Sequence, residues 1–183
     1  MHPFTHIRLM AAIAITLSGF AGTTWAAGKT HEHGALKLDV AIEGNKLTIT
    51  MEAPLDNLLG FERAPRTDTE RKAAADVLAQ LRSAHQSALL FVMDAAAQCT
   101  PGKPQVQAPQ LEPGAKPAAK EAHADLDASF EFTCAKPDEL RTLDVGLFDA
   151  FKRTQRIDVQ VAGPKGQSKM TLKRPARKVQ MVR

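Results

Sequence analysis

The sequence predicts an α+β fold made mainly of antiparallel β-sheet, and three observations predict it. Apolar and polar residues alternate with period two in several separate segments, one stretch alone has the 3.6-residue period of a long helix, and strands and helices do not take turns as a parallel sheet requires. The 183 residues are enough for one ordinary domain. Counting the patterns gives about seven or eight strands, in a curved sheet or a sandwich, with one main helix.

The first element is a leader. Arg8 precedes an apolar run from Leu9 to Phe20, about a dozen residues, which is the length of a signal-peptide core and falls short of the ~20 needed to span a bilayer. Small residues in Thr24-Trp25-Ala26 place cleavage after Ala26, so residues 1–26 read as a signal peptide and 27–183 as a single exported domain that does not span a membrane. In an oxidising compartment Cys99 and Cys134 read first as one structural disulfide, and second as a redox couple or as thiolate metal ligands.

Leu36, Leu38, Val40 and Ile42 alternate with polar residues, and after Gly44-Asn45 the alternation resumes at Leu47, Ile49 and Met51; two strands joined by a tight turn follow. Pro54 ends the second strand because it has no N–H to donate, and Leu55 to Phe61 reads as an irregular connection whose Leu58 and Phe61 plug the core. Thr67-Asp68-Thr69-Glu70 is a capping box. The helix it opens runs to about Ala84, with Ala74, Val77, Leu78 and Leu81 on its buried face. Ser87 to Met93 reads as a short buried strand. Thr100 to Ala122 holds five prolines and no aromatic residue, a composition too poor in apolar area to offset its ordering entropy, so a mobile loop stapled at its ends by the cysteines is expected. Leu126 to Cys134 is the clearest strand. Leu143 to Leu147, Ile157 to Val161, Met170 to Leu172 and Val179 to Val182 are the others, with a turn of helix or a corner at Phe148 and Phe151. The bases Lys173, Arg174, Arg177, Lys178 and Arg183 read as protection of a sheet edge, and alternatively as a site for an anionic partner.

Composition excludes some functions. A net charge of +4 is small and scattered, Trp25 is the one tryptophan and there is no tyrosine, so neither the basic stripe nor the stacking platforms of a nucleic-acid binder are present. No nucleophile elbow, H-E-x-x-H helix or phosphate-cradling glycine loop occurs, and an enzyme is not expected. Asp56 and Glu62 read as turn and surface acids. His85, four residues from Leu81 and from Leu89, reads as a half-buried, satisfied histidine or as a cation at a helix C-terminus.

Metal chemistry is the remaining pattern. If the first strand extends backwards, His31 and His33 share a face at about 6.6 Å between Cα atoms, and His123 falls in register with Asp125 and Asp127. Imidazoles and carboxylates suit Zn²⁺, with Cu²⁺ a competitor for the same rings. The candidate metal ligands are His31, His33, His123 and Asp125; the opposing reading is a solvated tail and a polar loop edge.

The order of His31-Glu32-His33-Gly34, an alternating strand pair, Ala53-Pro54-Leu55-Asp56-Asn57-Leu58-Leu59-Gly60-Phe61-Glu62, a helix, Cys99, a biased loop, His123-Ala124-Asp125 and Cys134 resembles the ZrgA-type periplasmic zinc-binding proteins of Gram-negative bacteria. The resemblance implies a periplasmic accessory that binds zinc and assists uptake by a zinc solute-binding protein and its transporter. That family's loop is commonly rich in His, Asp and Glu, whereas this one has no histidine and only Glu112 and Glu121 as acids, which implies few bound ions. The alternative is a metal-free envelope interaction module.

Overall fold

The computed structural model describes residues 32–112, 115 and 124–182. The expected signal peptide, together with His31 and His123, lies outside the described residues.

β1 (Ala35–Glu43) and β2 (Lys46–Pro54) form the expected antiparallel hairpin. β2 pairs on its other side with β6 (Asp125–Cys134), and β6 in turn with two short strands, β4 (Cys99–Pro101) and β5 (Gln105–Gln107). Beyond β1 lie β8 (Arg156–Gly163) and β9 (Gly166–Lys173), so the larger sheet has the order β4-β6-β2-β1-β8-β9 with β5 beside β6. β1 and β8 are parallel, with Leu36 opposite Ile157 and Val40 opposite Val161, which makes the sheet mixed. Alternation marks the face of a residue and is silent about which strand lies next door.

β10 (Lys178–Gln180), β7 (Thr142–Val145) and β3 (Phe91–Met93) form a separate three-stranded sheet. There are thus two sheets sharing one core. Leu36, Leu38, Leu47, Ile49 and Met51 of the larger sheet and Leu143, Val145 and Val179 of the smaller one are all buried, and the Phe91 and Phe130 rings meet at 4.9 Å between the two. α2 (Asp68–Arg82) adds Ala74, Leu78 and Leu81 to the core. Its capping box is formed: the Glu70 N–H donates to the Thr67 hydroxyl and the Glu70 carboxylate accepts from the Thr67 N–H.

Three segments differ from expectation. Leu55–Leu59 is a short helix, α1, closed by Gly60 in the left-handed region at φ +85°. Leu58 packs partly buried against the core, but Phe61 sits half-buried under the Arg63 guanidinium at 5.0 Å and plugs nothing. Residues 100–112 are ordered as β4, β5 and a 3₁₀ turn (Pro109–Leu111): pairing with β6 satisfies the inward half of their backbone, and Ala108 and Leu111 are buried. The remainder of that expected loop falls largely outside the described residues. In the expected strand from Ser87 to Met93 only Phe91–Met93 pairs, and Leu89 is 72% exposed. Its backbone crosses Gly146 so closely that a Cβ there would lie 1.9 Å from the Leu89 carbonyl oxygen.

α3 (Leu147–Ala150) is the expected turn of helix. Two of the C-terminal bases brace the fold from its surface. Arg174 stacks on Phe148 and donates to the carbonyls of Phe148, Lys152 and Thr154, while Arg177 pairs with Asp144 and Asp149. Lys173 and Lys178 remain exposed on strands at sheet edges.

Candidate metal site

β2 lies between β1 and β6, and all three reach the same end of the sheet. Asp125 is opposite Pro54, and continuing the β1–β2 register by two residues puts Ala35 opposite Pro54 on the other side. At the usual strand spacing the Cα atoms of Ala35 and Asp125 are therefore about 10 Å apart. α1 leaves β2 between them. Its Leu55 N–H donates to the Ala124 carbonyl at 2.9 Å, which anchors the residue next to His123.

β1 does not extend backwards as the metal reading assumed. Gly34, at φ +82°, breaks the strand and makes Glu32-His33-Gly34 a turn. Each residue of that turn has its own anchor. Arg156 holds Glu32 through two bonds of 3.0 and 2.7 Å, and this carboxylate, outweighing partial burial and aided by Asp158, raises the Arg156 pKa. The Gly34 N–H donates to Asn57 Oδ1 at 2.6 Å, and Asn57 Nδ2 donates back to the Ala35 carbonyl at 2.5 Å. Asn57 is wholly buried, as few amides are without a full set of partners. His33 projects outward, its side chain 67% exposed, and Nε2 meets Glu62 Oε1 at 3.1 Å. Arg153 braces the other side of α1 through the Asp56 carbonyl and carboxylate.

Of the four ligands named from sequence, His33 and Asp125 are described, and both stand at this end of the sheet; His31 and His123 are outside the described residues. Asp125 is half-buried, with Oδ1 shielded from solvent. Glu62 and Asn57 were missed as site residues. Glu62 looks like any surface acid in sequence, and only its place in the segment that carries the family resemblance sets it apart. The cysteines are joined to each other across β4 and β6, which removes the thiolate-ligand reading.

The chemistry of this end suits zinc in part. Two ligands bonded at about 2.0–2.2 Å around a tetrahedral ion lie roughly 3.3–3.6 Å apart, a little wider than the 3.1 Å hydrogen-bonded separation of His33 and Glu62. Two donors do not complete a site, and among the described residues no group of three or more His, Cys, Asp or Glu is clustered to hold an ion. Completion would have to come from His31, His123 and Asp125.

Comparison with known proteins adds the decisive observation: residues 30–181 match the ZrgA family of zinc uptake proteins. The chain belongs to that family. No curated protein matches it. The matched span takes in both histidine segments, α1 and both cysteines, and membership of the ZrgA family ties this chain to zinc uptake. Among the described residues no helix is long and apolar enough to cross a membrane.

Proposed function

We propose that the protein is a periplasmic accessory of zinc uptake that carries zinc as cargo, one or few ions at a time, and performs no catalysis. The observation that carries this reading is the convergence of two distant segments on one end of the sheet: His33 reaches Glu62, and α1 ties the turn before β1 to the start of β6 through Asn57 and Leu55. His33 and Glu62 supply two ligands, and His31, His123 and Asp125 supply the others. The leader and the disulfide support an exported, oxidising location. A solute-binding protein or transporter for zinc is the proposed recipient.

The metal would serve as cargo bound from solution, and its ligands belong to a turn and strand ends that stay accessible to a recipient. Calorimetric titration of the purified protein with Zn²⁺ tests this. An equivalence near one, lost in His31→Ala/His33→Ala, is expected; no heat with the unaltered protein would leave the metal-free interaction module as the better account. Competition with Cu²⁺ is part of the same experiment, since imidazole sites generally hold copper more tightly.

A further inference from the structure

The far end of β6 carries a different feature. β3 is an edge of the smaller sheet and β4 an edge of the larger one, and a cavity of about 330 Å³ opens between them. Phe130 and Phe132 line it from β6, and Ala84–Ala88 form a further wall. Leu89 and Val92, the exposed large hydrophobic residues among the described ones at 72% and 44%, are both here: Val92 lines the cavity and Leu89 directly follows its wall.

Both walls present backbone groups that take no partner among the described residues. The Val145 N–H donates toward β10 and the Gly146 N–H to Leu90, so by alternation Asp144 faces β3 and occupies Val92. The N–H and C=O groups of Phe91 and Met93 then point away from β7, along the free edge. On β4, the Gln98 carbonyl and the Gly102 N–H bond to β6, so the Cys99 N–H and the carbonyls of Cys99 and Pro101 point away from it, Pro101 having no N–H to offer. The lining contains no Lys or Arg; its one acid, Asp94, is consumed by the Arg141 and Thr142 N–H groups and the Thr142 hydroxyl, and its one histidine, His85, is not the satisfied residue expected, its Nδ1 being buried without a hydrogen-bond partner among the described residues.

We propose that this cleft binds an extended, uncharged, apolar segment of a partner polypeptide, which adds as a strand to the β3 and β4 edges and places an apolar side chain against the exposed Val92, above the buried Phe130 and Phe132. Unpaired strand edges recognise a polypeptide through main-chain bonds, and the apolar floor selects the side chain. The lack of a free acid in the cleft favours a partner over a second copy, because the long free edge of this chain, β9, carries exposed Lys169 and Lys173 that would find no counter-charge there.

The probe is the capped peptide acetyl-Thr-Val-Leu-Val-Thr-amide, titrated into the isotope-labelled protein. Strand addition predicts at least tenfold slower hydrogen exchange at the Phe91, Met93 and Cys99 amides, and at least tenfold weaker binding to Val92→Lys. Leu89→Asp, a second exposed position, should weaken binding in the same direction while leaving β3 intact. Absence of protection at those amides overturns the proposal. So does n-octyl glucoside shifting the same resonances while the peptide does not, which would make the cavity a small-amphiphile site. A dimer in sedimentation that Val92→Lys abolishes would assign the cleft to a second copy and overturn it equally.

Discussion

The two ends of β6 teach different lessons about how this chain builds a surface. At its start, near Asp125, the surface is polar and made by side chains: His33, Glu62 and Asn57 are brought together by hydrogen bonds from a turn and a short helix. About 23 Å along the strand, near Phe132, the surface is apolar and its bonding groups belong to the main chain. The first end therefore leaves a motif in the sequence and the second leaves almost none, since any residue but proline brings a backbone N–H to a strand edge.

The comparison can be broken most severely at the apolar end. Gly146→Ala forces a Cβ into the Leu89 carbonyl, so a loss of more than about 3 kcal/mol is expected in chemical denaturation, with the β3 wall displaced. Next comes Cys99→Ser/Cys134→Ser. Opening a loop of 35 residues should cost about 3.5 kcal/mol and loosen β4, while zinc binding at the other end stays unchanged. A parallel loss of zinc affinity would show that the two ends are not independent.

At the polar end Asn57→Ala leaves the Gly34 N–H and the Ala35 carbonyl without their buried partner. The expected cost is about 2–3 kcal/mol by urea unfolding, accompanied by weaker zinc binding, because the His33 turn loses its anchor. Glu62→Gln sharpens the distinction: stability should move by less than about 0.5 kcal/mol, since His33 is largely exposed, but zinc affinity should drop about tenfold. Equal zinc affinity in Glu62→Gln would remove this carboxylate from the ligand set.

The smallest effect belongs to neither end and serves as a reference. Arg63 donates to both Glu70 oxygens, and together with the Arg66 and Thr67 N–H groups it holds the Glu70 carboxyl down at about 2 against partial desolvation. A carboxylate with a lowered folded-state pKa stabilises above its unfolded value and loses that contribution as pH falls. The cap should therefore weaken between about pH 4.5 and 2, with stability flat on this account above that range. Proton titration of Glu70 by NMR checks the midpoint, and Thr67→Ala should cost about 1 kcal/mol at neutral pH.

Much of the fold was legible because burial repeats along the chain: β1, β2, β6, β8 and the capped α2 all lie where alternation or helical period puts them. β4 and β5 were not, since their order comes from main-chain bonds to β6 rather than from apolar side chains. Part of the candidate site was legible as histidine spacing, yet Glu62 was dismissed, because nothing local distinguishes an acid that waits for a partner 29 residues away from one that faces only water.

The sequence by itself determined most of the residues that face the core and where α2 begins. These depend on neighbours within a few positions. Only the tertiary structure decided that β1 and β8 run parallel, that two sheets face each other, and that the turn of His33 shares an end of the sheet with Asp125. Those are pairings between remote segments, selected by the joint packing of the whole core, and no short window of the chain contains them.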